Sequence, residues 1–213
     1  MNFRPDSKFM IFCMKLVELT KLNLLWLLCA LPVVTAGAGT TALVTSLYAY
    51  REGKPCGGGV FFRAFRRHFA KSTLLWLGIL LLGLMLALDY TIVAYMDFPG
   101  RMGVIVLIFF VAFALVLFSG VIFPLISQFP GTLREMTVNA VLLSLANLPK
   151  LLLVTSMNLL PLLLFLLLPQ VFILTGFLWL LCGFSLIALY HIMVLEKIFA
   201  PFRGNGKKEG GVL

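Results

Sequence analysis

Residues 151–195 read LLLVTSMNLLPLLLFLLLPQVFILTGFLWLLCGFSLIALYHIMVL, 45 consecutive positions without a Lys, Arg, Asp or Glu. At about 1.5 Å of rise per residue, one helix of that length far overshoots a hydrocarbon core of about 30 Å. The run must therefore fold back on itself. Pro169-Gln170 is the natural break, because proline lacks a backbone N–H and disfavours helix in the residue before it. Two membrane spans are expected, 151–168 and 171–195.

Working outward, the same pattern repeats. Residues 102–133 carry no charge, 72–96 carry one, Asp89, and 22–50 carry none across 29 positions. The expected membrane segments are 22–50 (broken), 72–96, 102–128, 151–168 and 171–195. Composition agrees: 62% of the 213 residues are hydrophobic and 12% charged, against roughly a quarter charged in a soluble domain. Mean hydropathy is +1.08. The expected fold is all-α: a polytopic transmembrane helical bundle of about five segments, forming a single membrane domain over 1–213. No cleavable signal peptide is evident, since the first apolar run begins after Lys21 and is too long for one.

The formal net charge of +9 suggests nucleic acid, but its distribution argues otherwise. The cations lie in short pieces between apolar runs, as membrane-flanking charge does. Residues 51–71 hold Arg51, Lys54, Arg63, Arg66, Arg67 and Lys71 against Glu52 alone. The positive-inside rule places that stretch in the cytoplasm. Alternation then puts 97–101 outside, 129–150 inside, 168–170 outside, and the tail with Lys197, Arg203, Lys207 and Lys208 inside. The expected location is the bacterial plasma membrane, multi-pass, with the basic loops cytoplasmic.

The first segment admits two paths. Pro32-Val33-Val34-Thr35-Ala36-Gly37-Ala38-Gly39-Thr40-Thr41 interrupts it, and helical character resumes at Ala42–Tyr50. A kinked helix could cross once, or two half-length helices could enter and leave on one side. The charge rule leans towards the hairpin, because Arg4, Lys8, Lys15 and Lys21 then join the other cations inside and only Arg101 of 17 falls outside. The 32–41 break is also the leading candidate site, at Pro32, Thr35, Gly37, Gly39, Thr40 and Thr41. Irregular backbone at membrane depth survives where protein covers it or where it lines a wet cavity. Broken helices can aim hydroxyls at substrate or ions. The competing reading is a packing seam, since Ala36-x-x-x-Thr40, Gly37-x-x-x-Thr41 and Ala38-x-x-x-Ala42 let helices approach closely.

A second candidate lies at 60–71. Phe61, Phe65 and Phe69 recur at helical spacing, with Arg63, Arg66, Arg67 and Lys71 on the other face. That pattern predicts an amphipathic helix lying in the interface, its rings in the acyl boundary and its cations at anionic headgroups. It serves either as a topology anchor or as a docking element for a cytoplasmic partner. Residues 130–150 give another amphipathic helix, with Val138, Leu142, Leu145 and Leu148 on one face. The segment 203–213 reads as a flexible tail. Asp89 sits beside Tyr90 near the outer end of its span and is expected to snorkel, the alternative being a proton or cation role. Asn23, Asn158, Gln128 and Gln170 are expected to satisfy broken backbone groups. His191 reads as a satisfied polar residue. Trp26, Trp76 and Trp179 suit interfacial or packing positions.

No catalytic constellation is present: there is no G-x-x-x-x-G-K-[ST] loop, no H-E-x-x-H, and no paired carboxylates within the spans. Cys13, Cys29, Cys56 and Cys182 form no C-x-x-C pair, and there are two histidines. No metal site, cofactor or enzymatic activity is expected.

The stretch Asn23-Leu24-Leu25-Trp26-Leu27-Leu28-Cys29-Ala30-Leu31-Pro32-Val33-Val34-Thr35-Ala36-Gly37, continued by Ala38-Gly39-Thr40-Thr41-Ala42-Leu43, resembles the signature of the YesL-like family of bacterial membrane proteins. The basic aromatic stretch 61–69, the segment from Thr132 to Ala140, and Asn147-Leu148-Pro149-Lys150 match their usual places in it. The resemblance implies about five membrane segments, no assigned activity, and an association with carbohydrate uptake. It implies a non-enzymatic accessory or assembly component, with a small transporter or channel using the 32–41 break as the alternative. The expected partners are the lipid bilayer with its anionic headgroups and a carbohydrate transport complex. No nucleic acid is expected, and oligomeric state is left open.

Overall fold

The computed structural model of the protein describes residues 8–205. Helices dominate, and no strand occurs among the described residues. They run α1 (Lys8–Ala30), a 3-10 turn (Val33–Thr35), α2 (Ala36–Arg51), α3 (Gly58–Tyr95), α4 (Arg101–Gln128), α5 (Leu133–Ala146), α6 (Leu148–Leu167), α7 (Pro169–Leu174), α8 (Gly176–Leu178), a π-helical turn (Trp179–Gly183) and α9 (Phe184–Asn205). Four stretches are long and apolar enough to cross a membrane: Gly58–Tyr95, Arg101–Gln128, Leu148–Leu167 and Gly176–Ala200. The protein is an all-α bundle of membrane-spanning type.

The first segment is a hairpin. Trp26 meets Thr40, Gly39 lies against Cys29, and Glu18 meets Cys56. The paired positions converge as the chain approaches Pro32, so α1 and α2 are antiparallel and their open ends share one side of the bundle. The break is shorter than the expected 32–41. Pro32 is extended at φ −76°, ψ 102°, one 3-10 turn follows, and helix resumes at Ala36 rather than Ala42. Only proline forbids helix here. Gly and Thr merely weaken it, and tertiary packing overrides a weak propensity. Thr40 and Thr41 support the helix by donating to the carbonyls of Ala36 and Gly37.

A second correction concerns 60–71. It is not a separate interfacial helix but the first part of α3, continuous to Tyr95. No proline or turn signal interrupts 58–95, and a helix once nucleated propagates cheaply. At 38 residues, α3 reaches about 57 Å. That exceeds the about 40–45 Å of a whole bilayer, so α3 must tilt or protrude. The hairpin lies along its first half only: Thr41 meets Ser72, and Trp76 reaches the hairpin tip.

The 151–195 run does divide beside Pro169, with Leu168 outside the helices. The expected second span is modified, however. α7 ends at Leu174, the chain restarts at Gly176, passes a π turn, and continues beyond Leu195 to Asn205. The extra residue in each turn of the π stretch seats Trp179 over Gly183, where an added Cβ would come within 2.5 Å of the indole. Residues 203–205 of the expected tail are helical, and 206–213 lie outside the described residues, as does Arg4.

The 130–150 expectation becomes α5 plus the first turn of α6. Thr132-Leu133-Arg134-Glu135 forms a capping box. The Glu135 carboxylate accepts from the Thr132 N–H at 2.9 Å and the Thr132 hydroxyl accepts from the Glu135 N–H at 3.3 Å. Those bonds from Thr132 hold the Glu135 carboxyl below the usual carboxylate range. Val138, Leu142 and Leu145 stay exposed, while Met136, Ala140 and Leu143 pack inward against α4 and α9.

Two apolar cores result. One joins α1, α2, the start of α3 and α9 through Leu19, Leu22, Leu47, Phe61 and Ile192. The other joins α4, α5, α6 and α9 through Ile122, Ile126, Ala140, Leu151 and Phe199. α9 contributes to both.

Candidate functional site

The hairpin tip and its seat on α3 bring the first candidate set together. Thr35 closes the turn by donating from its hydroxyl to the carbonyls of Cys29 (2.6 Å) and Pro32 (3.0 Å). Trp76 donates its indole N–H to the Val33 carbonyl at 2.6 Å. The Thr35 bond satisfies the Cys29 carbonyl, which the break removes from helical pairing, while Pro32 and Val33 also accept the backbone N–H groups of Thr35 and Ala36. Pro32, Val33 and Val34 themselves remain exposed.

Gly37 and Gly39 look in different directions. A Cβ at Gly37 would lie 2.5 Å from Trp76 Cβ and 2.8 Å from the Ser72 carbonyl oxygen, so α2 touches α3 there backbone to backbone. A Cβ at Gly39 would lie 3.1 Å from Cys29 Cβ, on the α1 side. α2 is thus a slender helix wedged between two neighbours, the arrangement that small residues permit. The hydroxyls near it are committed. Thr40 accepts from the Trp26 indole at 3.2 Å, and Thr41 pairs with Ser72 at 2.8 Å. The hydroxyls and glycines of 32–41 are thus engaged with α1, α3 and the turn itself.

The second candidate set divides. Phe61 is fully buried in the core with Leu19, Leu22 and Ile192, not in the acyl boundary as expected. Phe65 is half-buried against the same core, and Phe69 is exposed. Helical spacing put the three rings on one face, but α1, α2 and α9 cover only its start. Arg63, Arg66 and Arg67 are exposed and form no ion pair among the described residues. They leave a basic face at the end of the bundle where the hairpin opens.

Other polar residues act at a distance. Asn23, fully buried, donates to the carbonyls of Trp179 (3.0 Å) and Leu180 (2.7 Å) and accepts from the N–H of Ser185 (2.9 Å). One amide thus ties α1 to both ends of the π turn, as its expected backbone-satisfying role requires. Asn158 donates to the Val154 carbonyl and meets His191 at 2.9 Å. Three contacts had no signal in the sequence. Arg51 pairs with Glu196. Ser72 seats Thr41. Cys56, buried, donates to Glu18 at 3.3 Å, and burial pushes its thiol up to about 11. These partners lie on separate elements and share no periodicity. No group of His, Cys, Asp and Glu suited to a metal ion occurs among the described residues.

Residues 19–90 match the family described as "Protein of unknown function, DUF624". That span covers most of the hairpin and nearly all of α3, the unit that Gly37 and Trp76 lock together. The chain is similar to a YesL protein over part of its length. It is 33% identical over 129 residues to "Uncharacterized protein YesL" of Bacillus subtilis (strain 168), covering 58% of this chain and 60% of that relative. No solved structure matches. The YesL-like resemblance read from 23–43 thus falls on the hairpin, with its turn at Pro32 and its small-residue seam.

Proposed function

We propose that this protein is a non-enzymatic accessory or assembly component of a membrane complex, associated with carbohydrate uptake. In this reading it lies in the bacterial plasma membrane with its basic end cytoplasmic. The carrying observation is the exposed basic face of Arg63, Arg66 and Arg67, without an ion pair among the described residues, on a helix that the hairpin packs against. Such a face suits an acidic cytoplasmic surface of a transport protein. The link to carbohydrate uptake rests on the YesL-like resemblance alone.

Affinity purification from native membranes in mild detergent tests this. Sugar-uptake components are expected to accompany the wild type and to be lost from the Arg63→Ala/Arg66→Ala double variant. Absence of any stable partner across detergents counts decisively against the reading. The orientation has its own check. Single cysteines at Lys15, Lys54 and Arg101 in a cysteine-free background should label from the inside, inside and outside respectively. Lys15→Cys labelling from outside would overturn the orientation assigned to the hairpin.

The alternative, a small transporter built on 32–41, has weaker support. The hydroxyls of Thr35, Thr40 and Thr41 are already spent on neighbouring groups. Solute flux into proteoliposomes above that of empty vesicles, abolished by Thr40→Val, would restore it.

A further inference from the structure

Two cavities at the basic end share Phe129 as a lining residue. The first, about 460 Å³, is an apolar groove between the end of α4, α5 and α9, lined by Leu125, Phe129, Val138, Leu142, Leu143 and Phe199. The second, about 320 Å³, is a polar cleft where α3 passes the α4–α5 connection, lined by Arg67, His68, Lys71, Ser127, Gln128 and Gly131. Lys71 donates to the Gly131 carbonyl at 2.9 Å, which holds the connection against α3 and fixes the ammonium at the cleft. Arg67 has no carboxylate partner among the described residues. Glu135 stands close enough to Lys71 for that cation to help depress its carboxyl, so it offsets one of the two cations and leaves about one positive charge.

Each cavity alone is ordinary, but a charged cleft and an apolar groove on either side of Phe129 together have the polarity of an amphiphile. Val138 and Leu142 are exposed, so the groove is open along α5. Basic pockets between helices at the cytoplasmic side take lipid headgroups, and about 300–1,000 Å³ is the size range of ligand pockets.

We propose that the two cavities form one site for an anionic glycerophospholipid. Its phosphate sits in the cleft between Arg67 and Lys71, and one acyl chain lies in the groove beside Phe129, Leu142 and Phe199. Charge complementarity selects the anionic headgroup, and the groove selects a tethered chain over free phosphate. This site does not depend on the uptake reading, because it needs no protein partner.

Native mass spectrometry of the full chain, released from nanodiscs of mixed phosphatidylglycerol and phosphatidylcholine, tests the proposal. The wild type is expected to retain phosphatidylglycerol in clear preference to phosphatidylcholine. Arg67→Gln should cut that retention about fivefold, the effect of one cation near an anionic surface. Lys54→Gln, at the same end but outside both cavities, should leave it unchanged. Leu142→Trp should reduce retention by filling the groove, with Leu145→Trp as the matched exposed control on α5. Thermal melting in phosphatidylcholine alone checks that each variant is folded. Equal retention of the two lipids overturns the proposal. So does an equal loss in Arg67→Gln and Lys54→Gln, which marks diffuse surface attraction. Displacement of the lipid by millimolar glycerol phosphate also overturns it, marking an anion site without a chain.

Discussion

α2 and the outer arm of α3 and α4 invert the rule that the most apolar segment forms the core. α2 is a helix of Ala, Gly, Thr and Ser, yet ten of its residues are buried. Residues 73–116 are far more apolar, and none of them is buried. In water such a surface would collapse inward. In lipid, acyl chains solvate Leu and Phe as well as a protein neighbour would, and association is driven by close packing and hydrogen bonds. Size and shape decide the contact. Gly37 reaches the α3 backbone because it has no side chain, and Phe110 does not need to reach anything.

The comparison breaks most sharply at Gly37. Gly37→Leu should unseat the hairpin from Trp76 and Ser72, costing about 3 kcal/mol or more. Gly78→Leu, where an added Cβ meets nothing within 4 Å, should be silent. Thermal melting in one lipid mixture compares them, and equal losses would remove the distinction between the regions. Next comes Asn23→Leu, which strips the π-turn carbonyls of their donor at about 2–3 kcal/mol. A melt unchanged from wild type would show that the α1–π contact is dispensable.

Glu18→Ala should cost about 1 kcal/mol, the worth of one partly buried hydrogen bond. It should also speed maleimide labelling of Cys56, which in the wild type should lag behind Cys13 near pH 8. The sign follows from the raised thiol pKa. The S–H bond to Glu18 is fully present below the ordinary thiol pKa and is lost as pH rises through about 11. Fast wild-type labelling at pH 8 would contradict it. Smallest of all, Leu107→Ala and Phe110→Ala on the exposed arm should each change stability by no more than about 0.5 kcal/mol. Larger losses in detergent would reveal a protein neighbour on that arm.

Much of the fold was legible because charge is intolerable in hydrocarbon. The uncharged runs located the α4 and α6 spans to within a few residues, and Pro169 marked a true break. The candidate site was legible in part. Pro32 breaks the chain after α1, whereas Pro124 and Pro161 lie inside helices, and the Gly and Thr residues after Pro32 read as a longer interruption than α2 allows. The basic aromatic stretch was recognised as helical but not as the start of α3, since periodicity carries no information about where a helix stops. Burial of Phe61 was equally hidden, because Phe61, Phe65 and Phe69 have the same spacing whether they face lipid or α9.

By itself, then, the sequence determined which segments can enter a bilayer, where proline divides them and which end gathers the cations, because each is a local property of charge, length and backbone chemistry. The tertiary structure decided that 22–50 turns back as a hairpin, that its small residues clamp onto Trp76, and that Asn23 mends a π turn more than 150 residues away. It also set the basic cleft beside an apolar groove. Those outcomes depend on complementary surfaces meeting across distant parts of the chain, which no local pattern encodes.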